Sequence, residues 1–146
     1  MRPPDGEYPK TVVLRDGAHL VLRPGPAADA PALEGVEAGR DALVIVAWDG
    51  ERAAGWVRLA RIDPESAAVA VALDAAYVGR RLGTWLLLDA VHCAVGLGLV
   101  RLVVEPPPAA ADYRAALERL DFVPAGGTAD RPARLVKALH RGWTDF

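Results

Sequence analysis

Apolar and polar positions alternate along this chain with two periods, and the change of period marks its elements. "TVVLRDGAHLVLRP" (11–24) holds two short runs rich in valine and leucine around Asp16-Gly17. Asp-Gly between such runs is a hairpin signal, because glycine accepts the positive φ of a tight turn. "ALVIVAWDGERAAGWVRLARI" (42–62) repeats the pattern: an apolar run to Trp48, Asp49-Gly50 as the turn, then a second strand to about Ile62. "AAVAVAL" (67–73) is continuously apolar, which predicts a central strand buried on both faces. From Leu82 the spacing turns helical. Leu82, Leu86, Ala90 and Cys93 share one face, and Gly96 and Gly98 end the run. Asp89 falls at the edge of that stripe, where the buried face is expected to meet water. "LVRLVVE" (99–105) reads as a buried strand broken by Pro106, Pro107 and Pro108. "AAADYRAALERL" (109–120) reads as a helix. Phe122 opens an extended piece, "GGTADRPA" (126–133) is expected to be a loop, and "RLVKAL" (134–139) the last strand. Near the start, Asp29 can cap a short helix that carries Pro31 in its first turn.

The predicted order is β-β-α-β-β-β-α-β-α-β. It describes an α/β fold: a mixed, mostly antiparallel sheet with a central β-α-β crossover. In such sheets the crevice beyond the carboxyl ends of the parallel strands is the usual ligand site. At 146 residues the chain suits one domain with a real core. The reading is a flexible segment 1–10, a single domain 11–141 and a tail 142–146.

Composition narrows the chemistry. A net charge of -2 gives no reason to expect nucleic acid or an anionic membrane as partner. The single cysteine, Cys93, excludes an internal disulfide framework and any CxxC metal spacing. His19, His92 and His140 lie far apart, so no metal site is expected. The first residues hold no apolar signal core. The longest apolar helix is interrupted by Asp89, His92 and Gly96, so no membrane span is expected. A cytoplasmic location follows as the expectation.

"YVGRRLGTWLLL" (77–88) carries the candidate chemistry. A strand, a Gly/Arg loop and a helix N-terminus together offer unpaired N–H groups and a partial positive charge to an anion. Gly79 and Gly83 permit close backbone approach, Arg80 and Arg81 add charge, and Thr84 adds a hydroxyl in the first helical turn.

The order of elements and this loop resemble the GNAT superfamily of acetyl-CoA-dependent N-acyltransferases. "YVGRRLGTWLL" lines up without a gap on the family's "YQGRGLGTALL", "LERLDF" (117–122) on its "YEKLGF". "VVLRDGAHLVLRPGPAADAPAL" resembles the opening of the bacterial protein-lysine acetyltransferase branch. The resemblance covers about residues 11–140. It implies acetyl-CoA as acyl donor and a primary amine, such as a protein lysine, as acceptor. It implies a pyrophosphate cradle from Gly79 through Arg80, Arg81, Leu82, Gly83 and Thr84. The strand end Val71, Ala72 and Leu73 would offer N–H groups to the thioester and pantetheine. The motif is degenerate: its Q/R position holds Val78 and its first glycine position holds Arg81.

The family's usual catalytic groups are missing. The common strand Glu falls on Ala68, the Asn on Ala110 and the Tyr on Leu117. Glu105, at the end of the second parallel strand, is the first candidate base, ahead of Asp74. Glu65 alternates to the opposite face. Tyr113 is the candidate acid, four positions before the usual Tyr and so on the same helical face. Residues 25–41 leave room for one helix where the family places two. An open cleft there would expose apolar surface, which suggests a homodimer unless Trp56, Trp85 and Trp143 cover it. Two functions follow from the resemblance: an N-acetyltransferase, or a catalytically degenerate domain serving as a binding or regulatory module.

Overall fold

The computed structural model describes residues 8–25, 42–105, 111–128 and 130–139. In chain order its elements are β1 (Lys10–Val13), β2 (His19–Pro24), β3 (Ala42–Asp49), β4 (Arg52–Asp63), β5 (Ser66–Leu73), α1 (Leu82–Gly96), β6 (Arg101–Val104), α2 (Ala111–Arg119), β7 (Val123–Gly127) and β8 (Pro132–Ala138). The strands form one sheet in the order β1-β2-β3-β4-β5-β6-β8-β7. Every pairing is antiparallel except β5 with β6, which α1 connects. This is the expected mixed α/β architecture. The short helix expected after Asp29 lies outside the described residues.

Both hairpins form. Asp49 pairs with Arg52 across Gly50-Glu51, and Gly50 stands at φ 62 while Glu51 keeps a negative φ. That is the pattern of a type II′ turn, with glycine at its first central position. In the first hairpin Asp16 accepts the Ala18 N–H at 3.1 Å, and Gly17 takes φ 88. Both turns lie at the same end of the sheet as the carboxyl ends of β5 and β6.

The main core lies between the sheet and the helices. Leu82, Leu86, Ala90 and Cys93 of α1 are each at most 1% exposed, as the helical stripe predicts. They meet Leu20, Leu22, Ile45, Val57 and Val69 from four strands. Burying such side chains contributes about 1.5–3 kcal/mol each. A smaller cluster of Val44, Val46 and Ala53 lies on the opposite face, with Trp48 and Trp56 packed against it. α2 ends in a Schellman motif: Phe122 N–H donates to the Leu117 carbonyl and Asp121 N–H to that of Glu118, both at 3.0 Å. Asp121 therefore takes φ 68.

Three expectations change. Asp89 does not meet water: it is 7% exposed, and Tyr8 and Lys10 from the start of the chain close over it. β5 is not buried on both faces along its length; Ala67 and Val69 join the core, Val71 and Leu73 on the same face are partly buried, and Ala68 and Ala70 opposite are half-buried. Finally, Gly126 and Gly127 are strand rather than loop. They stand at φ 67 and 65, and a Cβ on Gly127 would fall 2.3 Å from the Arg131 carbonyl. Glycine there lets β7 close directly on β8, a use of glycine inside a strand that reads as a turn in sequence.

Candidate active site

The two parallel strands pair only over Ser66–Ala68 and Arg101–Val103; β5 then runs on to Leu73 while β6 stops at Val104. The strands part towards the end of the sheet where the hairpin turns lie. The backbone of β5 faces this opening in alternation. Asp74 N–H donates to the Ala54 carbonyl at 2.8 Å, so Ala72 is likewise bonded towards β4, opposite Trp56. The N–H groups of Val71 and Leu73 therefore point into the opening. Of the expected strand-end donors, Val71 and Leu73 face it and Ala72 does not.

Tyr113 reaches across from α2. Burial pushes the pKa of its hydroxyl up to about 12, with the nearby Val71 N–H acting in the opposite sense. The phenol thus stays neutral and keeps a proton to donate inside the opening. Helical spacing puts Leu117 one turn further on, fully buried in the core beside Phe122.

The loop joins the same end. A 3-10 turn, Ala75–Tyr77, is capped by Asp74, which accepts the Ala76 N–H at 3.0 Å. Gly79 follows at φ 81 with open space where a Cβ would stand. Arg81, at φ 70, is the N-cap of α1 and caps it with backbone only. The N–H groups of Leu82, Gly83 and Thr84 precede the first intrahelical bond, from Trp85 N–H to the Arg81 carbonyl at 3.2 Å. A Cβ on Gly83 would meet only the Leu73 side chain, at 3.6 Å. These donors, the open ground beside Gly79 and the exposed Arg81 fit a diphosphate.

The two arginines part company. Arg81 is exposed. Arg80 binds Asp16 of the first hairpin turn at 2.7 Å and stacks 4.7 Å from the Tyr77 ring. Asp74 is also engaged, paired with Arg52 at 2.9 Å. Glu65 lies in the exposed β4–β5 turn, at the far end of the sheet. Glu105 is exposed and directly follows β6, the strand that borders the opening. Ala68 pairs with Val103, where the strands are still joined. Ala110 and Trp143 lie outside the described residues. Asp16, Asp49 and Tyr77 were not singled out by sequence as parts of the site. The signal was present: two Asp-Gly turns on hairpins that must end beside the loop.

The model of the acetyltransferase (GNAT) family matches residues 18–122. No curated protein matches the chain by sequence. Among solved structures, the GNAT domain of S. lividans PAT superposes with a TM-score of 0.76 at 19% identity, over 93% of this chain and 99% of that one. The ribosomal-protein-S18-alanine N-acetyltransferase from Escherichia coli gives 0.67 at 17%, over 82% of this chain and 94% of that one. A cAMP-binding acyltransferase from Mycobacterium smegmatis gives 0.70 at 19%, over 94% of this chain and 49% of that one, so this chain spans about half its length. At these identities the likeness is one of fold.

Proposed function

Since this chain belongs to the acetyltransferase (GNAT) family, we propose that it moves an acetyl group from acetyl-CoA to a primary amine on a protein, a lysine side chain first. The observation that carries the reading is the buried Tyr113 phenol near the Val71 N–H of β5, the strand that parts from β6. It puts a proton donor where the Leu117 position has none. For that reason the catalytic reading is preferred to a binding module. Two things support a protein acceptor: the resemblance of the opening residues to the lysine-acetyltransferase branch, and a neighbour of like fold whose substrate is an alanine of a ribosomal protein.

When bound, acetyl-CoA supplies a thioester carbonyl open to an amine. In this proposal the N–H groups of Leu82, Gly83 and Thr84 hold the diphosphate, with the helix dipole and Arg81 adding positive charge. Leu73 N–H orients the arm that lies in the opening. Glu105 takes a proton from the incoming ammonium. Tyr113 gives its proton to the sulfur as the C–N bond forms and the C–S bond breaks. The ammonium thus loses two protons: one leaves through Glu105 to solvent, and the other, lost from the nitrogen after attack, makes up for the proton that Tyr113 gave to the thiol.

Calorimetry with acetyl-CoA and an acetylation assay on lysine peptides, N-terminal amines and small amines test this. Binding and transfer to lysine peptides are expected. Glu105→Gln is expected to lower kcat by roughly 100- to 10,000-fold with little change in acetyl-CoA affinity. An unchanged kcat would remove Glu105 from the mechanism. Binding without transfer to any amine would restore the binding-module reading. We further propose a homodimer, with a neighbour helping to wall the acceptor side; a monomer mass of 15.5 kDa by light scattering would count against it.

A further inference from the structure

Arg80 stands in the middle of the candidate diphosphate loop, yet its guanidinium is directed away from it. Nη2 donates to Asp16 Oδ2 at 2.7 Å and Nη1 to the Ala76 carbonyl at 3.4 Å. Nε is buried from solvent, out of reach of a ligand in the present conformation. The main chain is held as well: the Arg80 carbonyl accepts the Arg15 N–H at 3.4 Å. The Tyr77 ring under the guanidinium is 2% exposed, and its hydroxyl donates to Asp49 Oδ2 at 2.6 Å. Arg52 approaches the same ring at 5.4 Å. On the helix side of the loop, Trp85 Nε1 donates to the Val13 carbonyl at 3.0 Å. Both hairpins therefore grip the loop that the family resemblance assigns to the cofactor alone.

We propose that Arg80 and Asp16 are a positioning pair that sets the shape of the diphosphate loop, leaving Arg81 as the cation that meets the phosphates. This rests on the acetyl-CoA reading above. The loop needs such a hold. Gly79 and Arg81 flank Arg80, and both stand at positive φ, a conformation that an unconstrained arginine disfavours. A loop whose N–H groups must converge on an anion gains affinity from being set beforehand. The Ala18 N–H, followed by the charge of Arg80, holds the Asp16 carboxyl below the usual carboxylate range, so a carboxylate faces the guanidinium at neutral pH. An exposed pair contributes little to global stability. Its effect should therefore appear in the loop rather than in the melting temperature.

The test compares Asp16→Asn, Arg80→Ala, their double variant and Arg81→Ala. Acetyl-CoA binding is measured by calorimetry at low and high salt, KM and kcat by assay, and exchange of the amides of residues 79–84 in ligand-free protein. Asp16→Asn and Arg80→Ala are each expected to weaken acetyl-CoA binding on the order of three- to tenfold, the scale of a lost preorganising contact. The double variant should be no weaker than either. The change should fall on the KM for acetyl-CoA rather than on kcat, and the salt dependence should match the wild type. Arg81→Ala should flatten the salt dependence. Amide exchange in the loop should quicken in both single variants, and Asp16→Glu should restore part of the protection. If Asp16→Asn tightens binding, or Arg80→Ala flattens the salt dependence, Arg80 is a phosphate contact and the proposal falls. Unchanged loop exchange overturns it even if acetyl-CoA does not bind, while absence of binding with quickened exchange would remove only the acetyl-CoA reading.

Discussion

Arg81 and Asp121 are the non-glycine residues at positive φ among those described, at 70 and 68. In the resemblance read from the sequence, each stands at a glycine position of the motif. The left-handed region costs an ordinary side chain roughly 1–2 kcal/mol, and less for Asp, whose short side chain can bond locally. Arg81→Gly is therefore expected to stabilise the fold by about 1 kcal/mol, and Asp121→Gly by less, measured as shifts in urea midpoint. An unstable Arg81→Gly would mean that the arginine side chain holds its own backbone in place. Tyr113 gives the second expectation at this scale. Tyr113→Phe should lower kcat by roughly 100-fold or more if the phenol is the acid. Its pKa is pushed up to about 12, so the wild-type rate should show no loss of this acid across the neutral and mildly alkaline range. An alkaline limb near pH 9 that disappears in Tyr113→Phe would contradict the environment described here.

At the scale of elements, α1 is held from both sides. Its apolar stripe faces the sheet, and its Asp89 is closed over by the start of the chain. Tyr8 donates to one carboxylate oxygen, and Lys10 pairs with the other at 2.6 Å. Tyr8 also lies 3.0 Å from Cys93, one helical turn on from Asp89. Hydrogen bonds to a buried charged group contribute about 1.5–3 kcal/mol. Asp89→Asn should cost that much, and it should loosen amide exchange in β1 and in the middle of α1 before it affects β4 and β5. Equal loosening throughout the sheet would show that the contact does not act as a local latch. The leucine spacing of α1 was legible in the sequence, as were both Asp-Gly hairpins and the parallel strand pair, because each repeats a local period or turn rule. The burial of Asp89 was not, since its partners lie at Tyr8 and Lys10 and no local pattern announces a contact so distant in sequence. The site was half legible for the same reason. Gly79, Gly83 and the helix start announce the loop, while Arg80 turns to Asp16 only because two hairpin turns and the loop end at one edge of the sheet. Tyr113 could be placed from helical spacing alone; its nearness to the Val71 N–H depends on the alternation of N–H groups along β5.

On the scale of the whole molecule, the chain's three tyrosines each join a different segment to the sheet or its helix. Tyr8 ties the N-terminal strand to α1, Tyr77 ties the loop to the β3–β4 turn, and Tyr113 ties α2 to β5. All three are shifted upward. Burial, then the Asp89 carboxylate, raises Tyr8; the Asp49 carboxylate, then burial, raises Tyr77; burial raises Tyr113 to about 12. The folded state therefore resists forming phenolate at each junction, whereas the unfolded chain ionises near its ordinary value of 10.0. The sign follows by linkage: this stability is fully present below about pH 10 and is lost as pH rises towards the folded values. Alkaline titration should show phenolate absorbance and loss of circular dichroism in one shared transition, displaced above the pH at which free tyrosine ionises. Tyr8→Phe should then release its segment from this constraint and leave the other two junctions to set the midpoint. Phenolates that appear near pH 10 while the sheet stays folded would mean that these three side chains are solvated, and that the contacts joining strand, loop and helix to the sheet are not those described.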